Sequence, residues 1–315
     1  MTQSSRLPFA LCFVVLIAAA SSLRGQVSAP TPQLPQESQP PSTDIFLVEV
    51  VRRGGQLSFG RPANVTRREG YDNQPAFLPG GESFLYTSQR DGQTDIYRYD
   101  LKTGQSVRLT ETAESEYSPT PAPGGQFFSV IRVEADKTQR LWKFPLRGGG
   151  GLPAASLVLE KIKPVGYHAW LGEQTLVLFV LGTPNTLQLV DAKTEQAAIV
   201  GENVGRSLNL VPKRKGELSF VHKISEKEWL IKTLDPQTRR VETLAPTLAG
   251  SEDFVWLPDG SAILSARGGK IYRLSPGRAE DWQEVADFSA AGVKEITRLA
   301  LSPRGDRLAL VATER

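Results

Sequence analysis

Cysteine, methionine and histidine are nearly absent from this chain of 315 residues, which has one cysteine, one methionine and two histidines. The cysteine, Cys12, lies in an apolar segment near the N-terminus, so the rest of the chain can form no disulfide, thiolate metal site or cysteine nucleophile. The serine nucleophile motif Gly-x-Ser-x-Gly is also missing. Two histidines, His168 and His222, cannot form a three-histidine metal site.

Long hydrophobic runs and a strong charge of one sign are missing as well. The longest apolar run, Leu7 to Ala20, has 14 residues, fewer than the ~18–20 that cross a bilayer. It follows Arg6 and precedes small residues, which is the layout of a secretory signal peptide. We therefore predict a signal peptide over residues 1–25 and an exported protein, bacterial and periplasmic or secreted. The alternative is an uncleaved anchor.

Removal of residues 1–25 would leave 35 basic and 34 acidic residues, a nearly neutral chain. We therefore expect no nucleic-acid partner, and no stable membrane insertion after cleavage. Residues 26–43 are rich in Pro, Gln and Ser and have no apolar periodicity. Such a segment buries too little surface to offset its ordering entropy, so it is predicted to be a disordered tether.

From residue 44 onward, one pattern recurs: an apolar strand, a turn rich in Pro and Gly, and a second strand. Successive turn glycines are separated by 44, 47, 44, 44 and 45 residues. A period in the mid-forties with several short alternating strands is typical of propeller blades. The sequence predicts an all-β fold over residues 44–315, a six-bladed β-propeller of four-stranded antiparallel blades. The turn glycines are Gly81, Gly125, Gly172, Gly216, Gly260 and Gly305.

The last repeat is incomplete, since only about one strand follows Gly305. The segments 45–55 and 57–66 resemble the missing third and fourth strands. We therefore predict that N-terminal strands complete the last blade, in a two-plus-two closure that removes two open sheet edges. On this prediction the propeller uses the whole chain after the tether.

Residues 75–110, PAFLPGG to TDIYRYDLKTGQSVRLT, carry the repeat most fully. This consensus resembles the TolB-type, WD40-like repeat of exported bacterial propellers, and the resemblance extends over 44–315. It implies the propeller fold and leaves the function open. TolB carries an additional N-terminal α/β domain before its propeller, whereas here we expect only a signal peptide and a tether before the first strand.

Acidic residues near the starts of the predicted inner strands are candidates for one mouth of the channel, together with His168. They could bind a cation or a basic peptide, or act as paired carboxylates in acid–base chemistry. We favour a structural role in which they accept backbone N–H bonds of the connecting loops, and a structural role for His168 beside Tyr167 and Trp170. The acidic candidates are Asp72, Glu116, Asp253 and Glu295.

The absence of nucleophile motifs favours a non-catalytic scaffold that binds a protein or peptide in the cell envelope, as a monomer and without a cofactor. The alternative is a propeller enzyme, such as a lactonase-like hydrolase or a polysaccharide lyase, that uses channel-mouth carboxylates and a divalent cation.

Overall fold

The computed structural model describes residues 40–147, 154–277 and 281–313. The predicted signal peptide and residues 26–39 of the predicted tether lie outside the described residues. Thr43, which we placed at the end of the tether, is buried, and its hydroxyl donates to the carbonyl oxygen of Asp72 at 3.0 Å. The folded part of the chain therefore begins before Asp44.

The first strands along the chain belong to the last blade. They are β1 (Asp44–Arg53), β2 (Gln56–Phe59) and the short β3 (Ala63–Asn64), which pairs with β1.

Five complete blades follow, and each is a four-stranded antiparallel sheet whose strands run in chain order from the innermost to the outermost. Blade 1 has β4 (Asp72–Phe77), β5 (Ser83–Arg90), β6 (Gln93–Asp100) and β7 (Ser106–Arg108). Blade 2 has β8 (Ser115–Pro121), β9 (Phe127–Val133), β10 (Gln139–Pro145) and β11 (Ser156–Leu157). Blade 3 has β12 (Val165–Trp170), β13 (Thr175–Val180), β14 (Thr186–Asp191) and β15 (Ala197–Glu202).

Blades 4 and 5 repeat this arrangement. Blade 4 has β16 (Val204–Leu210), β17 (Leu218–Lys223), β18 (Trp229–Leu234) and β19 (Val241–Pro246). Blade 5 has β20 (Phe254–Trp256), β21 (Ile263–Arg267), β22 (Lys270–Leu274) and β23 (Gln283–Asp287). One 3₁₀ turn (Ser289–Ala291) leads to β24 (Lys294–Leu301) and β25 (Arg307–Thr313) of blade 6. No helix in the described ranges has the length and apolar character needed to cross a membrane.

The sixth blade confirms the predicted closure. Its strand order is β2-β1-β25-β24, with β1 antiparallel to β25 and Ile45 opposite Val311. The first strands of neighbouring blades contact one another all the way around, from β4 to β24 and back to β4. The six blades therefore form a closed ring around a central channel, which confirms the predicted fold class.

The hydrophobic core is divided among the blade interfaces. The described residues form six apolar clusters, and each cluster joins two neighbouring blades. Phe179 of blade 3, for example, packs in one cluster with Leu218 and Phe220 of blade 4. A blade cannot bury both of its faces without both neighbours, which is why the two ends of the chain must meet.

The turn glycines explain the regular spacing of the repeats. Five of the six have φ between 68° and 76°, a left-handed conformation that glycine adopts without steric cost. Gly172 of blade 3 does not, and this is one of the two repeats whose sequence lacks part of the Pro-x-Gly pattern.

The contribution of a turn glycine can be measured by comparing Gly260→Ala with Gly172→Ala. Gly260 has φ 73°, so an alanine there is expected to lower the free energy of unfolding by about 1–2 kcal/mol. At Gly172 a Cβ meets nothing within 4 Å, and little change is expected. Urea unfolding followed by circular dichroism measures both, and equal losses would contradict the assignment.

The closure strand β1 offers a second comparison. Val48 is fully buried at the interface of blades 5 and 6, whereas Val51 on the same strand is 37% exposed. Val48→Asp buries an unpaired carboxylate and should cost more than about 3 kcal/mol or give aggregated protein. Val51→Asp should cost no more than about 1 kcal/mol. A cooperative, nearly unchanged unfolding curve for Val48→Asp would show that β1 does not hold the ring together.

Candidate binding site in the central channel

A cavity of about 590 Å³ opens in the channel at the ends of the innermost strands, where they enter the first hairpin turn of each blade. All six blades contribute to its lining. Because the blades are related by rotation around the channel, equivalent residues of the six inner strands lie at similar depths. The lining can therefore be divided into two layers.

The deeper layer is polar and comes from equivalent positions of the inner strands. In four blades this position lies seven residues before the turn glycine. Five of the inner strands have an irregular register close to this position, so the backbone bends there. We call these residues the polar floor: Gln74, Ser118, Tyr167, Ser207, Asp253 and Arg298.

The backbone of the polar floor is strained in two blades. Gln74 and Ser118 have φ of 56° and 53°, a conformation that residues other than glycine rarely adopt. The oxygen Oε1 of Gln74 accepts hydrogen bonds from the backbone N–H of Ser118 and from the hydroxyl of Thr87, both at 2.8 Å. The bond from Ser118 joins blades 1 and 2 at the channel, and the bond from Thr87 within blade 1 helps to hold the Gln74 side chain in place.

The layer nearer the turns is mostly apolar, and we call it the apolar ring. Its two tryptophans are fixed by hydrogen bonds to the neighbouring blade. The indole N–H of Trp170 donates to Ser129 Oγ at 2.9 Å, and that of Trp256 donates to Ser219 Oγ at 2.8 Å. The ring thus has a rigid aromatic part. Its members are Phe77, Pro121, Trp170, Leu210, Trp256 and Leu301.

Charge in the cavity comes from Arg206, Asp253 and Arg298. The Asp253 oxygen Oδ1 accepts the backbone N–H of Leu299 at 2.8 Å, and Oδ2 lies 4.0 Å from Arg206 Nε. Burial raises the pKa of Asp253 above its usual range, although Arg298 and Arg206 act in the opposite direction. The carboxylate therefore ties blade 5 to blade 6.

Arg298 is held by an aromatic neighbour. Its Nη2 donates to the hydroxyl of Tyr167 at 2.9 Å, and its guanidinium carbon lies 5.3 Å from the centre of that ring. Arg206 donates from Nη2 to the carbonyl oxygen of Thr297 at 2.8 Å. Tyr71 interacts electrostatically with Arg298, Tyr167 and Arg206, and burial raises the pKa of Tyr71 to about 12. The hydroxyl of Tyr71 therefore keeps its proton at neutral pH.

His168 lines the cavity but is nine-tenths buried, with Nε2 2.6 Å from Ser129 Oγ. Burial lowers its pKa to about 3, so the ring is neutral at physiological pH. Ser129 is fully buried and cannot reach a substrate. The Ser129–His168 pair thus joins blades 2 and 3, and the geometry supports the structural role. His222 lies on β17, the second strand of blade 4.

The four acidic candidates are not gathered at one mouth. Asp253 belongs to the polar floor, whereas Glu295 is exposed and does not line the cavity. Asp72 and Glu116 are fully buried and also outside the cavity lining. Asp72 lies 3.4 Å from Arg68 Nη1, and Glu116 Oε1 accepts the hydroxyl of Thr112 at 2.5 Å.

Asp72 and Glu116 instead take part in a repeated contact between blades. Asp72 lies near Asp44 of blade 6, and Glu116 lies near Asp95 of blade 1. Burial raises the pKa of Asp72 and of Glu116, and the charge of the neighbouring aspartate raises it further. Thr66 donates to Asp44 at 2.7 Å, and Arg108 donates to Asp95 at 2.8 Å. Asp72 and Glu116 therefore do not lie at the channel mouth, where the sequence makes them candidates. A side chain near the start of an inner strand can point at the neighbouring blade as well as at the channel. The Thr-Asp-Ile triplets at 43–45 and 94–96 are the sequence signal of this contact.

Arg206, Arg298 and the apolar ring were not among the sequence candidates. Part of the polar floor could have been found in the sequence by counting back from the turn glycines, since Gln74, Ser118, Asp253 and Arg298 each lie seven residues before the turn glycine of their blade. Blades 3 and 4 have turns of other lengths, so the offset alone does not find Tyr167 or Ser207. In the described ranges, no three His, Cys, Asp or Glu side chains are grouped so that they could hold a metal ion.

The buried Glu116 predicts a dependence of stability on pH. Burial raises its pKa from an ordinary 4.5 to about 7, so between these values the folded protein keeps a proton that the unfolded chain has lost. Stability should fall as pH rises through this window, by about 3 kcal/mol, and level off above about pH 7. Glu116→Gln should remove this part of the pH dependence and be more stable than the parent at pH 8.

The control for this measurement is Glu111→Gln, because Glu111 is nearby and its side chain is 84% exposed. The melting temperatures of the parent, Glu116→Gln and Glu111→Gln are measured between pH 4 and 8, and their dependence on pH is compared. Parallel curves for all three proteins would contradict a raised pKa at Glu116.

Comparison with known proteins supports the fold. No family model matches the chain. An uncharacterized protein of Agrobacterium fabrum is 29% identical over 80 residues, a match that covers 25% of this chain and only 27% of that relative. The structure of a putative TolB from Agrobacterium tumefaciens aligns with a TM-score of 0.66 at 13% identity, over 86% of this chain and 98% of that one.

Other propellers align less well. A chain of the nidogen/laminin complex gives a TM-score of 0.57 at 10% identity, over 86% of this chain and 98% of that one. An oligogalacturonate lyase from Vibrio parahaemolyticus gives a TM-score of 0.51 at 14% identity, over 86% of this chain and 98% of that one. At such identities the likeness concerns the fold. This chain is a six-bladed β-propeller whose fold is similar to that of TolB, and the same fold occurs in proteins with different printed functions.

Proposed function

We propose that this chain is an exported, non-catalytic propeller that binds a segment of a protein or peptide at the cavity of its central channel. The observation that carries the proposal is the two-layered cavity, with an apolar ring near the turns and a polar floor beneath it. Apolar contacts provide most of the affinity of a binding site, and a few fixed polar groups orient the ligand.

The rigidity of the cavity supports this proposal. Trp170 and Trp256 are held by hydrogen bonds to neighbouring blades, and Asp253 and Gln74 each accept a backbone N–H across a blade interface. A preorganised site loses little conformational entropy when a ligand binds. The exposed side chain of Leu210, half accessible at the end of β16, adds apolar surface at the opening.

The disposition of the acidic residues favours binding over catalysis. Paired carboxylates must lie close enough to act on one substrate. Of the four acidic candidates, the cavity contains Asp253, and its Oδ1 is bonded to the backbone of Leu299. The fold likeness to a lyase keeps the enzyme as the alternative, and the first test below addresses it directly.

The enzyme alternative requires a divalent cation at the channel. Protein purified without chelator should be analysed for bound metal, and its melting temperature compared with and without EDTA. We expect no stoichiometric metal and no shift with EDTA. Stoichiometric metal with a metal-dependent melting shift would favour the enzyme.

The binding site is tested by comparing two exposed apolar residues. Leu210 at the cavity is 50% exposed, and Ile199 on the outer strand β15 is 61% exposed, so glutamate should be tolerated at both. Leu210→Glu should reduce capture of a crosslinked partner from the exported fraction at least fivefold. Ile199→Glu should capture it as the parent does. Equal capture by all three proteins would move the binding site away from the channel.

A further inference from the structure

The charges of the cavity are unbalanced toward positive. Two guanidinium groups, those of Arg206 and Arg298, face a single carboxylate, that of Asp253. The neutral His168 adds no charge. The carboxylate is also partly occupied, because Oδ1 accepts the N–H of Leu299.

Arg298 has few partners of its own. Among the described residues, its one hydrogen bond goes to the hydroxyl of Tyr167. Asp253 acts on it electrostatically but forms no direct ion pair with it, since the Asp253 carboxylate lies beside Arg206 and the backbone of Leu299. A guanidinium has five N–H donors in a planar fork that matches the two oxygens of a carboxylate. Arg298 therefore has unused capacity for an anion that enters the cavity.

The surroundings of Arg298 suit a carboxylate ligand. The hydroxyl group of Tyr167 lies in the cavity beside Arg298 and can donate a hydrogen bond to a carboxylate. Above them lies the apolar ring with its fixed Trp170 and Trp256. A ligand that satisfies both layers carries one carboxylate flanked by apolar groups.

We propose that the cavity recognises an acidic peptide segment, in which the carboxylate of an Asp or Glu side chain or of a chain terminus binds Arg298 and Arg206. Apolar residues beside that carboxylate pack against the apolar ring. This inference rests on the proposed function and adds the chemical class of the ligand. Charge complementarity between the arginines and the carboxylate is what selects the ligand.

The experiment uses the full chain and three sets of synthetic hexapeptides that contain Leu, Val and Phe. The first set carries a central Glu and an amidated C-terminus, the second has Gln in its place, and the third has Gln and a free C-terminal carboxylate. Affinities are measured by fluorescence anisotropy of labelled peptides. We expect the best carboxylate-bearing set to bind at least tenfold more tightly than the amidated Gln peptides, and the better of the first and third sets identifies the source of the carboxylate.

Three variants connect this preference to the site. Arg298→Gln should abolish the preference for the carboxylate, whereas the exposed Arg53→Gln should leave it unchanged. Asp253→Asn retains Oδ1 as an acceptor for Leu299 and removes the opposing charge, so it should tighten the binding of the acidic peptides severalfold. The opposite signs separate charge recognition from general damage to the fold. If Arg298→Gln does not fold, the preference for the carboxylate is measured with Arg298→Lys and Asp253→Asn instead.

The outcomes distinguish this inference from the proposed function. Equal binding of Glu and Gln peptides, unaffected by Arg298→Gln, would overturn the carboxylate inference and leave peptide binding intact. Failure of every peptide, with trigalacturonate binding in an Arg298-dependent manner, would overturn both in favour of an acidic sugar. Failure of peptides and sugar alike would also overturn both.

Discussion

The antiparallel pairing of β1 with β25 joins segments from opposite ends of the chain, with Ile45 opposite Val311 and Leu47 opposite Ala309. This contact closes the ring, and the six interface clusters exist only in a closed ring, because each draws its side chains from two blades. Closure also sets the distance between inner strands across the channel. The cavity and the positions of its lining residues therefore depend on a pairing that is remote in sequence.

The same hydrogen bonds that hold the blades together shape the candidate site. Ser129 and Ser219 accept from the tryptophans of the next blade, Gln74 bonds to blade 2, and Asp253 bonds to blade 6. Stabilising and binding roles thus overlap at the channel, where buried polar groups must find partners across blade boundaries. Arg298 differs from these residues because, among the described residues, its guanidinium hydrogen-bonds to the Tyr167 hydroxyl and forms no direct ion pair with a carboxylate, although Asp253 acts on it electrostatically. This is why it is the group that we assign to a ligand.

Much of the fold could be predicted because its determinants are local. Turn glycines such as Gly81 and Gly260 occupy left-handed positions that few other residues tolerate, so the period of the repeat is visible in the sequence. The site could be predicted only in part. Asp253 does line the cavity, but Asp72 and Glu116 contact the preceding blade instead. All three lie near the start of an inner strand, but Asp72 and Glu116 are nine residues before the turn glycine of their blade and Asp253 is seven, so they occupy different positions along the strand.

The sequence by itself determined the number of blades, the strands within each blade and the completion of the last blade by N-terminal strands. These follow from periodicity and turn chemistry, which act over a few residues. Tertiary structure alone decided which side chains meet in the channel. Tyr167 and Arg298 are 131 residues apart in sequence yet form one hydrogen bond. Such a contact depends on ring closure and on the exact register of two distant strands, and neither is encoded in the spacing of local motifs.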